Sequence, residues 1–215
     1  FAAGDVLHLV AGVPIWATMI VAGVAIIIYT MMAGMWGLAV TDLIQFMVMT
    51  VSAGAVLLGV YMHFNGADGF LDAIMASDPE KLSLTGHQTF ATAFGYVISA
   101  AALYVNAQSY QRFGAAKEGG DIKVAYTLML VIGLIFSTAM VVAGLASSVL
   151  YPNAETFSAG YWATIFEVLP PGIRGLFVAA LIAAVMSTVS ADLLITGGIL
   201  VKDIYKDLFK PNLTD

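Results

Sequence analysis

The residues best suited to chemistry lie late in the chain, in Ala183-Ala184-Val185-Met186-Ser187-Thr188-Val189-Ser190-Ala191. Ala184, Ser187, Thr188 and Ala191 fall at i, i+3, i+4 and i+7, so a helix carries all four on one face. Two hydroxyls, and a carbonyl left reachable by the small side chain of Ala184, offer oxygen to a hard cation such as sodium, which prefers oxygen ligands. The same pattern serves plain packing. Small and hydroxyl residues line contacts between membrane helices, and Ser and Thr bond back to their own helix carbonyls. Two carboxylates, Asp42 and Asp192, stand inside apolar runs. An ionisable residue in such a run is costly and by default marks function. Asp42 also suits the N-terminal region of a helix, where the positive helix end favours a carboxylate. Asp192 lies late enough in its run for a solvated or capping role. Asn106, Gln108 and Ser109 approach the end of another run, where they line a solute path or satisfy one another between helices.

Other chemistries lack their residues. His8, His63 and His87 have no spacing that joins them into a metal site. There is no cysteine, which excludes a disulfide framework and thiol metal sites. No glycine-rich phosphate loop, nucleophile triad or paired catalytic carboxylate points to an enzyme. No basic patch interleaved with aromatics points to nucleic acid.

The elements that position these residues follow from composition. Of 215 residues, 60% are hydrophobic and 10% charged, against roughly 25% charged in soluble domains. A bilayer-spanning helix needs roughly 20 mostly apolar residues. Stretches without a formal charge run over 6–41, 43–67, 82–111, 124–154 and 175–191, and the last resumes after Asp192 as far as Val201. They predict an all-α integral membrane bundle with five transmembrane helices at about 10–32, 38–62, 90–111, 122–151 and 173–208. Ala33-Gly34-Met35-Trp36-Gly37 breaks the first from the second, and Asn65-Gly66-Ala67-Asp68-Gly69 is a turn cluster. Short surface helices are expected at 70–76 and 161–169, the latter stopped by Pro170-Pro171. The fifth span, at roughly 50 Å, exceeds the hydrocarbon core and should project from it.

Net charge is −6, but the charges sit in loops, so the balance says little about partners. Basic residues set orientation. Arg112, Lys117, Lys123, Lys202, Lys206 and Lys210 fall on one side of an alternating five-span chain, and Lys81 and Arg174 on the other. That bias places the loop after the third span and the C-terminus in the cytoplasm, and the N-terminus outside, in a cell membrane whose lipid is the surrounding partner. Phe1 opens the chain without a basic n-region, so no cleavable signal is expected and the chain reads as an internal piece of a longer protein.

Three blocks, in order, resemble the sodium/solute symporter family. The first runs from Tyr29-Thr30 through Gly34 to Val40-Thr41-Asp42-Leu43-Ile44-Gln45, similar to the family's Tyr-Thr, glycine turn and Trp-Thr-Asp with Gln. The second is Gln111-Arg112-Phe113-Gly114-Ala115-Ala116-Lys117. The third, the most specific, runs from Gly175-Leu176-Phe177 through Ser187-Thr188 to Lys202-Asp203-Ile204-Tyr205-Lys206. The Ser-Thr version is most similar to proline, iodide and vitamin-type members. Val40 stands where the family has Trp, Ala191 lacks the family's hydroxyl, and Asp192 stands where proline-type members carry an amide.

The resemblance implies two five-helix inverted repeats of LeuT type, of which this chain supplies core helices four to eight, a partial fold. It implies a sodium ion held by the Ala184 carbonyl and the Ser187 and Thr188 hydroxyls, with the remaining ligands on core helix one. Asp42, Ser187 and Ser190 match a second sodium position of some members, and Asp192 is a candidate for strengthening cation attraction. Asn106 and Gln108 fall on the implied solute pathway. The implied activity is sodium-coupled uptake, by alternating access, of a small organic solute of sugar, amino acid, carboxylate or vitamin type. The alternatives are a transporter-like sensor module of a signalling protein and a structural helix-bundle subunit.

Overall fold

In the computed structural model the described residues are 12–83, 88–102 and 119–209. Among them every regular element is helical. Helix α1 covers Ile15–His63, α2 Ala67–Ser77, α3 Phe90–Ala102, α4 Gly119–Leu150, α5 Phe157–Val168 and α6 Pro171–Gly198. A 3-10 turn, Pro79–Leu82, follows α2, and the wider turns of a π-helix, Ile199–Phe209, continue α6. Three helical stretches are long and apolar enough to cross a membrane: Ile15–His63, Ile122–Leu150 and Pro171–Lys206. Of the expected third span, α3 is the described part. Asn106, Gln108 and Ser109 lie outside the described residues, as do Arg112, Lys117 and Lys210.

Helix α1 is two arms. Gly34 has φ 57° and ψ −171°, a conformation essentially confined to glycine. The hydroxyls of Tyr29 and Thr41 are hydrogen-bonded across it. Along a straight helix these residues would stand about 18 Å apart, beyond a tyrosine's reach, so the backbone turns at Gly34 between a first arm, 15–33, and a second arm, 35–63, and brings the residues flanking the glycine together. The second arm ends in a turn whose Gly66 N–H donates to the Tyr61 carbonyl at 2.8 Å. The expected turn cluster closes there, and α2 begins at Ala67 rather than 70, with Asp68 in its first turn, where a carboxylate is favoured. Helix α5 also starts earlier than expected, because the Thr156 hydroxyl caps it by accepting from the Ala159 N–H at 3.2 Å.

Residue contacts gather into two units. The described residues of the first are 12–49 and 178–209, and those of the second are 50–83, 88–102 and 119–177. The first unit buries Ile26, Thr30 and Leu38 of α1, and Ala180, Ala183, Ser190 and Ile195 of α6. In the second, Ala139, Ala143, Ala146 and Ser147 make a small-residue face on α4, and α5 packs against this helix with Gly160, Thr164 and Ile165 buried. Lipid supplies no hydrophobic drive between helices, so close approach of small residues holds such contacts. Ser52, Ala53, Val56 and Val60 form the buried face of the second arm. The Ser52 hydroxyl donates to the Leu176 carbonyl at 3.3 Å, and the Trp162 and Phe177 rings meet edge to face with centroids 6.2 Å apart.

Candidate functional site

The oxygen-bearing face singled out by spacing lies on α6. The Ser187 and Thr188 hydroxyls both donate to the Ala184 carbonyl, each at 3.0 Å. Three oxygens are thus gathered on one turn. In this arrangement the hydroxyl protons make the back-bonds that helical Ser and Thr commonly make. Two oxygens at that separation can also share one hard cation at about 2.4 Å, with an angle at the ion of roughly 80°. Ser190 donates to the Ser187 carbonyl at 3.2 Å and is 1% exposed. Thr188 and Asp192 are exposed, and Ser187 is half-buried.

Asp42 lies two turns beyond Gly34 in the second arm of α1 and is half-buried. It is therefore too deep in the helix for the capping position that suits a carboxylate. The fold brings Ala184, Ser187 and Thr188 together, and Asp42 stands on another helix. Close to the Tyr29–Thr41 contact along α1, the Thr30 hydroxyl and the Gln45 side-chain carbonyl are buried without a hydrogen-bond partner among the described residues.

The second unit holds a polar cluster that sequence reasoning did not assemble. The Tyr151 hydroxyl donates to Glu167 Oε2 at 2.5 Å. His63 Nε2 stands 3.8 Å from Glu167 Oε1. The hydrogen bond to Glu167 holds the Tyr151 proton, and with burial and the carboxylate charge it raises the phenol above its ordinary value of 10.0. On α5, burial likewise raises Tyr161, whose hydroxyl donates to Met140 Sδ at 3.4 Å. The cluster gathers the C-terminal ends of the second arm of α1 and of α4 onto one face.

Beside it lies a cavity of about 550 Å³ lined by the second arm (Ala55, Leu58, Gly59, Met62, His63), by the end of α5 (Glu167, Val168, Leu169) and by Pro170, Ile173 and Arg174. Arg174 Nε donates to the Leu169 carbonyl at 2.6 Å, closing the end of α5. Two signals could have found this cluster: Glu167 is the one charged residue of α5, and Arg174 comes three residues after Pro171, the end of the Pro170-Pro171 stop. His63 had no partner by spacing, because its partner arrives from about 100 residues further along the chain.

Comparison with known proteins gives one consistent result. The family profile described as sodium:solute symporter family matches residues 1–215. The chain is 26% identical over 212 residues to the sodium/pantothenate symporter of Escherichia coli (strain K12), covering 94% of this chain and 43% of that protein. It is 26% identical over 210 residues to the high-affinity proline transporter PutP of Bacillus subtilis (strain 168), covering 91% and 42%. It is 24% identical over 223 residues to the sodium-coupled monocarboxylate transporter 1 of Mus musculus, covering 95% and 36%. The chain spans about two fifths of the length of these curated relatives. No solved structure matches it.

Proposed function

The chain belongs to the sodium:solute symporter family, and from that premise we propose that the full-length protein couples inward sodium flow to uptake of a small organic solute. The named solutes of the relatives are pantothenate, proline and monocarboxylates. All three carry a carboxylate, which supports a carboxylate-bearing solute here. The observation that carries the sodium reading is the grouping on α6 of the Ala184 carbonyl and the Ser187 and Thr188 hydroxyls, with 3.0 Å between carbonyl and each hydroxyl. A hard cation on those oxygens would displace the two back-bonds and take ligands from the rest of the protein. Asp42, Ser190 and Asp192 are the proposed coupling residues. Asn106 and Gln108 are proposed for the solute pathway.

The proposed topology is five spans, with the N-terminal end of the chain outside and its C-terminal end cytoplasmic. The basic bias of the loop residues supports it. The transport cycle is alternating access, in which sodium shifts the equilibrium only by binding one state more tightly than the other. Sodium held on α6 favours the outward-open state, and its loss to the cytoplasm opens the inner side.

The test is sodium-driven uptake by the full-length protein. Ser187→Ala with Thr188→Ala should raise the sodium concentration for half-maximal uptake severalfold, and unchanged sodium dependence would remove the assignment. Asp192→Asn should weaken apparent sodium affinity if its carboxylate adds to cation attraction, and equal affinity removes Asp192 from the site.

A further inference from the structure

Arg174 is a charge whose local contacts do not account for it. It is half-buried, and burial of a charge is costly without a counter-charge. Its bond from Nε to the Leu169 carbonyl, at 2.6 Å, uses one of the five N–H donors of a guanidinium. Among the described residues no carboxylate lies within ion-pair distance of it. Glu167, the acidic group on the same cavity, is engaged with the Tyr151 hydroxyl and lies beside His63.

The cavity itself has the make-up of a ligand site. Its volume of about 550 Å³ lies within the usual range for small-molecule pockets, which are mostly apolar with a few placed polar groups. Its walls are Leu58, Met62, Val168, Leu169 and Ile173, and its titratable or charged groups are His63, Glu167 and Arg174. An aliphatic body fits those walls. A planar anion fits the guanidinium, which binds carboxylates through paired N–H donors.

We propose that this cavity is a binding site for the carboxylate of a small organic solute, with Arg174 as its anion-binding group and Glu167 as the acidic group of the same lining. The site uses none of the residues assigned to sodium. It rests on the symport reading for the identity of the ligand, and it adds a solute contact at the face where the second arm of α1 and α4 end. The bond from Nε to the Leu169 carbonyl orients the guanidinium, and the tie from Glu167 to Tyr151 keeps the carboxylate from neutralising it.

The experiment uses the full-length protein and three probes: L-proline, pantothenate and pyruvate. Binding is read from probe-induced thermal stabilisation, and transport from sodium-driven uptake in proteoliposomes. Arg174→Gln should weaken binding of the preferred probe about 10- to 100-fold, the loss of a charge-assisted pair, while the half-saturating sodium concentration holds. Glu167→Gln should act in the opposite direction and tighten binding, because it removes a like charge and keeps an oxygen for Tyr151. A residue that merely braces α5 would not produce opposite signs. Prolinamide should bind the wild type no better than L-proline binds Arg174→Gln. If Arg174→Gln fails to fold, Arg174→Lys, which loses the paired donors, should still weaken binding, and Glu167→Gln should still tighten it. The site is overturned if no probe stabilises the wild type, if neither arginine variant shifts the isotherm, or if Glu167→Gln weakens binding. Wild type that binds a probe but shows no sodium-driven uptake refutes the symport reading and leaves this site standing on the binding data.

Discussion

Replacing Gly59 by alanine should loosen the end of α5 from the second arm of α1. A Cβ at Gly59 would lie 2.8 Å from the Val168 carbonyl oxygen and 3.1 Å from Leu169 Cδ2. Ordinary contact begins near 3.4 Å, so the backbone at Val168 must retreat by about 0.6 Å to restore it. Three features resist that retreat. Leu169 is 1% exposed, its carbonyl accepts from Arg174 Nε at 2.6 Å, and Glu167 is tied to Tyr151 at 2.5 Å. Overpacking of this kind costs about 1–3 kcal/mol, which corresponds to an increase of about 5- to 160-fold in the population of locally opened α5. The chain has no cysteine, so Thr164→Cys, at a position 0% exposed, places a single thiol in it under the α5–α4 contact. In that background Gly59→Ala should speed labelling by a water-soluble maleimide by the same factor, since labelling tracks the open population when closing is fast. Equal labelling rates with and without Gly59→Ala would refute the reasoning.

Two other outcomes follow from single residues. The phenol of Tyr151 is raised by its bond to Glu167, so the tie is fully present below the ordinary value of 10.0 and is lost as pH climbs through the raised one. Glu167→Ala, which removes the accepting oxygen and the charge together, should bring the phenolate absorbance assigned by Tyr151→Phe back toward 10.0, and an unmoved titration would exclude Glu167 as the cause. Gly34→Ala meets no atom within 4 Å, so its expected cost of about 1–3 kcal/mol comes from backbone conformation alone. The thermal midpoint should fall, whereas a midpoint at or above wild type would mean that α1 does not turn at Gly34.

Much of this architecture is written in local pattern. A span is a long run without charge, because burying a charge in lipid is costly wherever the run sits in the fold. The break at 33–37, the stop at Pro170-Pro171 and the oxygen-bearing turn at Ala184, Ser187 and Thr188 all depend on residues within one or two helical turns, so spacing is enough to find them. The Asp42 carboxylate shows where such reading ends. Its position near a glycine break suits an N-cap equally well, and only the placement of the turn at Gly34 itself puts it inside the helix.

The turn of α1 at Gly34, and the meeting of His63, Glu167 and Arg174 around one cavity with Tyr151 bonded to Glu167 beside it, belong to tertiary structure. Tyr29 reaches Thr41 because the backbone turns at Gly34, and a glycine in a sequence marks a bend without its direction. Glu167 meets His63 because Gly59 lets the second arm approach the α5 backbone closely, and Tyr151 joins them because the small residues of α4 admit α5. Helical periodicity assigns residues to faces of their own helix. Which faces meet is set by packing between segments far apart in the chain, and that packing carries no local signature.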